Sequence, residues 1–212
     1  NNLIFFGSSC IYPKLCKQPI KEKYLLSGKL EKTNEAYALA KISGVKLCEY
    51  INNQFNRNYI TLMPTNMYGI NDNYDVESSH VLASLIAKIH YAKKNQDKKI
   101  TIFGTGKPLR EFLFVDDLAE ACVLLMNKKH NHKILNIGSG EEVSIKKLVS
   151  LISDFINYKV GIEYDRDKPD GTPRKLLDST LIRKLGWTPK VFLNKGLKIS
   201  YQDYCKKHEV LK

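Results

Sequence analysis

The chain has 212 residues, 43% apolar and 26% charged, with a formal net charge of +12. That length supports a core of one or two domains, and no apolar run reaches the roughly 18 residues of a membrane span. Cys10, Cys16, Cys48, Cys122 and Cys205 are scattered, with no C-x-x-C pair and no zinc spacing with histidine, so no metal site is expected and a reducing, cytoplasmic setting is. The positive balance suits polyanions, either nucleic acid or phosphorylated small molecules. The lysines are spread, with no aromatic-interleaved basic tract, so neither nucleic acid nor membrane is an expected partner.

In chain order, Leu3–Phe6 reads as a buried strand that stops at Gly7-Ser8-Ser9-Cys10. Asn34–Phe55 reads as a long helix with Asn34 as its N-cap. Tyr59–Met63 is a second strand, running into Pro64-Thr65-Asn66-Met67-Tyr68-Gly69. Ser79–Ala92 is helical and Lys99–Phe103 a strand. Val115–Met126 is a helix opened by Asp116-Asp117, and Ile134–Ile137 a strand ending in Gly138-Ser139-Gly140. Ser144–Ile156, Thr180–Leu185 and Asn194–His208 read as helices, with Val160–Tyr164 as a strand between them. Such alternation predicts an α/β fold with a mainly parallel sheet. Ligands of such sheets sit beyond the carboxyl ends of the strands. Here the ends Gly-Ser-Ser-Cys, Pro-Thr-Asn-Met-Tyr-Gly and Gly-Ser-Gly are small and polar, as a site requires.

Inside the first helix lies Tyr37-x-x-x-Lys41, whose spacing puts both side chains on one face, a turn apart. A free tyrosine titrates near pH 10, and a neighbouring ammonium favours the tyrosinate. Such a pair can work as a general acid beside a carbonyl. With the stretches GSSCIYPK, TNEAYALAKISGVKLCE, MPTNMYGINDN, SSHV, FGTGKPLREFLFVDDLA and KPDGTPRKLLD, in order from Gly7 to Asp178, the chain resembles the extended short-chain dehydrogenase/reductase family. Within it, the chain is similar to the NADPH-dependent 3,5-epimerase/4-reductase branch acting on GDP-4-keto-6-deoxy-mannose.

The resemblance implies specific roles. Ser8 would hydrogen-bond the C4 carbonyl, Tyr37 would protonate that oxygen, and Lys41 would support the tyrosine and hold the nicotinamide ribose. Cys10 and His80 would move protons at C3 and C5 on opposite faces of the sugar. A thiol, near pH 8.5 when free, becomes a usable base in an electropositive site. Tyr37, Lys41, Pro64, Asn66, Met67 and His80 would line NADP(H). Lys88, Phe103, Arg110, Asp170 and Lys175 would meet the GDP-sugar. Lys88 stands where arginine is common in the family, which weakens a bidentate phosphate contact. Phe103 stands where some members carry tryptophan, and lacks the indole donor.

The resemblance further implies a truncated Rossmann-type parallel sheet with a smaller C-terminal α/β substrate domain. Residues 1–69 and 111–138 would be the remainder of the NADP-binding part, and 70–110 with 139–212 the nucleotide-sugar part. The G-x-x-G-x-x-G that cradles pyrophosphate at a helix start is not in the sequence. The chain, whose first residue is Asn, thus reads as a fragment lacking the first three strands of the family's sheet, with Leu3–Phe6 as an interior strand and the isolated chain inactive in reduction. A homodimer through two long helices is the family expectation. Alternatives are another nucleotide-sugar epimerase or dehydratase of the superfamily, a polyanion binder, or a non-catalytic partner subunit.

Overall fold

The computed structural model describes residues 2–209; Asn1 and residues 210–212, which the expected domain bounds include, lie outside the described residues. Strand β1 (Asn2–Phe6), helix α1 (Glu35–Phe55) and strand β2 (Asn58–Pro64) form a parallel crossover unit, with Leu3 opposite Tyr59 and Phe6 opposite Leu62. Strand β6 (Ile134–Ile137) runs parallel along the other side of β2, giving the order β1-β2-β6. Among the described residues no other strand pairs with β1, which lies at an edge of this three-stranded sheet.

The alternation of β2 sorts its side chains between two cores. Ile60 and Leu62 pack with Leu125, Ile182 and Trp187, from helices α3 (Val115–Asn127) and α5 (Thr180–Lys184) and the chain after α5. Met63 faces the other way, toward the buried stripe Ala38, Ile42 and Val45 of α1. Helices thus cover both faces, as a parallel sheet requires. Gly44 lets α1 ride directly on β1, since a Cβ there would overlap the Phe5 ring. Asn52 fastens the end of α1 to β2: its carboxamide donates to and accepts from the Tyr59 backbone, both at 2.7 Å.

Two sequence expectations about helix starts differ in detail. Asn34 occupies the N-cap position of α1 but makes no side-chain capping bond; the Glu31 carboxylate accepts from Thr33 N–H one turn earlier. Asp116 and Asp117 do lie in the first turn of α3. Asp117, however, is buried, and its carboxylate accepts from the backbone N–H groups of Lys190 and Val191 at 3.0 Å each. It ties the chain leading into α6 (Leu193–Glu209) back onto α3.

A second sheet, which sequence periodicity does not disclose, is built on β5 (Leu109–Phe114). It runs parallel to β3 (Asn66–Tyr68) and β9 (Arg174–Lys175) and antiparallel to β7 (Glu142–Ser144). Three of these strands have only two or three residues, too short for a period to register. β4 (Lys99–Phe103) and β8 (Gly161–Asp165) form a separate parallel pair. Helices α2 (Val81–Asn95), α4 (Ile145–Ile156) and α6 close around a core containing Leu82, Ile86, Leu148, Ile152 and Tyr204. No helix among the described residues is long and apolar enough to cross a membrane.

Candidate active site

The site begins where β1 stops. Gly7 crosses β2 closely, its N–H on Leu62 O at 2.8 Å, and a Cβ there would run into the Met63 sulfur. Ser8 then caps a short 3₁₀ turn, Ser9–Ile11, its hydroxyl accepting from Cys10 N–H at 3.1 Å. The half-buried Cys10 thiol has the Lys175 ammonium 3.1 Å from its sulfur. Burial alone would push the thiol up. The charge and hydrogen bond of Lys175, the Ser8 hydroxyl and the more distant charge of Arg110 outweigh it, and the thiol titrates below its ordinary value.

Lys175 and Arg110 are neighbours because β9 and β5 pair there in register. The Arg110 guanidinium donates to Thr172 O at 2.6 Å, Leu109 O at 2.9 Å and Asp170 O at 3.1 Å. Its fork holds the 170–172 turn through backbone carbonyls, while the Asp170 carboxylate accepts from Thr105 N–H at 2.7 Å and Thr105 O–H at 2.8 Å. Burial lowers the Arg110 pKa, yet an arginine stays charged in any protein setting.

Arg110 also lines a cavity of about 330 Å³ together with Ser79, His80, Lys88, Phe103 and Asp170. Four of the five residues expected at the GDP-sugar, and the expected second proton carrier, therefore share one hollow. His80 is exposed at the N-cap position of α2 and makes no capping bond there. Phe103 is 57% exposed. The ammonium groups of Lys88 and Lys168 lie 5.2 and 5.8 Å from its ring centroid. An exposed ring flanked by two cations is suited to a flat, anionic ligand. Lys88 also donates to Thr101 O at 3.1 Å.

Tyr37 and Lys41 form a second group, at the carboxyl end of β1. Tyr37 is 46% exposed. Lys41 donates to Phe6 O at 2.9 Å and sits 5.8 Å from the Tyr37 ring centroid. Of the expected cofactor loop, Pro64 is buried as the last residue of β2. The Asn66 carboxamide donates to Glu111 O at 2.7 Å, and Met67 packs half-buried on the core beside Leu113. Among the described residues no group of three or more His, Cys, Asp or Glu side chains could hold a metal ion.

One residue that sequence reasoning passed over organises this region. Glu111 is fully buried, and its carboxylate accepts from Gly140 N–H at 2.7 Å and Leu177 N–H at 3.0 Å. Its own carbonyl accepts from Thr65 O–H at 3.1 Å and from Asn66. Glu111 thereby joins the ends of β2, β6 and β9 to β5, and burial raises its carboxyl pKa. A lone acid inside the apolar run Leu109–Phe114 was the available signal.

A parallel sheet with helices on both faces, and a Tyr-x-x-x-Lys helix beside its strand ends, define a fold of the Rossmann kind. Residues 1–138 match the family model described as "NAD dependent epimerase/dehydratase family", and the chain belongs to that family. It is 51% identical over 202 residues to "Putative GDP-L-fucose synthase 2" of Arabidopsis thaliana, covering 95% of this chain and 62% of that protein. It is 44% identical over 218 residues to "GDP-L-fucose synthase" of Escherichia coli K12, covering 99% of this chain and 68% of that one. The solved GDP-L-fucose synthetase of Naegleria fowleri bound to NADP superposes with a TM-score of 0.89 at 28% identity, covering 98% of this chain and 67% of that one. The chain thus spans about 62% of the length of the Arabidopsis relative.

Proposed function

We propose that the chain carries the chemistry that converts GDP-4-keto-6-deoxy-D-mannose to GDP-L-fucose by 3,5-epimerisation and 4-reduction, with NADP(H) as cofactor. The observation that carries this reading is the Cys10 thiol held under Lys175 at a strand's carboxyl end. Arg110, beside it, leads into the cavity that reaches His80. Protons at C3 and C5 are acidic because each lies next to the C4 ketone. The Cys10 sulfur removes one to leave an enolate, and His80 returns a proton to the opposite face, inverting the centre. Solvent resets both groups before the second inversion. Reduction comes last, because it removes the carbonyl that acidifies those protons.

Residues 1–69 and 111–138 then form the cofactor part, and 70–110 with 139–212 the sugar part. The residues suit NADP(H): Tyr37 is exposed one turn from Lys41 over the open end of β1, Pro64, Asn66 and Met67 lie at and just beyond the carboxyl end of β2, and His80 would meet the cofactor from the start of α2. When bound, the cofactor supplies hydride to C4. Ser8 holds the C4 oxygen and Tyr37 delivers the proton it needs, with the Lys41 charge alongside. Arg110, Lys88 and Lys175 supply cations for the diphosphate and sugar, Asp170 an acceptor for sugar hydroxyls, and Phe103 an apolar face. α1 leaves Leu39, Leu47 and Tyr50 exposed along one stripe, which supports a homodimer through this helix. Five free cysteines suit a reducing cytoplasm.

The test is hydrogen exchange. With the keto sugar in deuterated water, the chain should place deuterium at C3 and C5, read by proton NMR. Cys10→Ser should abolish this by at least about a hundredfold, the usual scale for a lost general base. A folded chain without exchange, or a Cys10→Ser variant that exchanges at the normal rate, would sink the proposal.

A further inference from the structure

We propose that Lys175 is the residue that makes Cys10 a base: its ammonium holds the sulfur as thiolate before any substrate arrives, so Lys175 acts as a positioning residue for the thiol and not only as a contact for the sugar nucleotide. The inference deepens the reading of Cys10 as proton carrier and rests on it for its biological meaning.

The chemistry of the pair points one way. An ammonium has three donors and no acceptor, so at 3.1 Å the Cys10 sulfur must be the acceptor. A neutral thiol accepts weakly, whereas a thiolate is anionic and accepts strongly. Among the described residues no carboxylate forms an ion pair with Lys175, so its charge is available to the sulfur.

Both partners are fixed by backbone. Ser8 caps the turn that carries Cys10. Lys175 is set by the pairing of β9 with β5, and its neighbours are tied down on either side. The Arg174 Nε donates to both Glu142 carboxylate oxygens at 2.8 and 3.0 Å, and Leu176 N–H donates to the Gln18 side chain at 3.0 Å. The groups facing the sulfur are Lys175 from β9, Arg110 from β5 and Ser8 from its own turn; Tyr37 and Lys41 of α1 stand at the neighbouring end of β1. Arg110 spends its donors on the carbonyls of Leu109, Asp170 and Thr172. Lys175 is therefore the one of the two cations in direct contact with the sulfur.

Alkylation reads this without cofactor or sugar. The thiolate sulfur of Cys10 displaces iodide from iodoacetamide, forming a C–S bond, and peptide mass spectrometry separates Cys10 from the other four cysteines. The rate should rise with pH to a plateau, with a midpoint below that of an ordinary thiol. Lys175→Met should move the midpoint up by about one unit or more, which is about a tenfold loss of rate on the acid side of it. The alkaline plateau, which reads access, should stay unchanged, and Lys175→Arg should keep the midpoint low. Cys16, whose thiol is raised by burial, serves as the reference for unwanted opening. If Lys175→Met fails to fold, Lys175→Gln removes the same charge. A Cys10 midpoint unmoved in the folded, charge-free variant overturns the proposal. Exchange absent at C3 and C5 while Cys10 titrates as expected would instead reject the proposed function alone.

Discussion

Glu111→Gln tests how the site is held together. In the native chain one buried carboxylate accepts from two backbone N–H groups, Gly140 at 2.7 Å and Leu177 at 3.0 Å. A carboxamide has one oxygen, so it keeps one of these bonds and turns its NH2 toward the other donor. That leaves a buried N–H unsatisfied, at a cost of about 1–3 kcal/mol. The bond that survives also loses its anionic acceptor, while the penalty of burying charge is relieved. The expected net loss is about 1–3 kcal/mol, measured by urea melts with an unchanged slope.

The pH dependence gives a second readout of the same variant. Burial holds the Glu111 carboxyl above its ordinary value of 4.5 in the folded chain. Between that value and the folded one, the native state keeps a proton that the unfolded state has lost. The stability tied to this proton is complete below 4.5 and disappears as pH rises through the folded value. Glutamine has no such step, and the other carboxylates cancel in the difference. The deficit of Glu111→Gln should therefore be larger near pH 4.5 than near pH 8. A variant as stable as the parent at both pH values, or a deficit that widens with pH, would refute the placement of this carboxylate.

Two further variants probe the scaffold beneath the site. Gly44→Ala should gain about 1 kcal/mol of helix propensity but lose more to overlap with the Phe5 ring, since overpacking costs about 1–3 kcal/mol; a thermal midpoint that rises would show that α1 does not ride on β1. Tyr12→Phe removes a buried hydroxyl that donates to Asn136 Oδ1 at 2.6 Å, for an expected loss of about 1–3 kcal/mol in denaturant melts. Burial raises the Tyr12 phenol above its ordinary 10.0, so the native chain should also lose stability above about pH 10 as the unfolded phenol ionises, and the Phe variant should lose less.

The first sheet and the site it serves differ in how readable they were. β6 of that sheet and β4 outside it matched their expected bounds, because apolar runs bounded by turn residues mark strands, and α1 and α3 did so within a residue, because a long helix with one buried stripe imposes a clear period. The second sheet was hidden because its strands are short and its central strand opens on Arg110 and Glu111, charges that break an apolar run. Those same charges make it the seam of the molecule. Glu111 binds the ends of β2, β6 and β9, while Arg110 fixes the 170–172 turn and stands in register with Lys175. Motif matching could name Cys10, Lys175, Arg110 and His80 one by one. It could not say that Cys10 touches Lys175 across 165 residues of chain, because that contact depends on a two-residue strand with no signature of its own. The residues least visible in sequence thus determine the charge at the thiol, which is why a test of Lys175 is more informative than another test of the Tyr37–Lys41 pair.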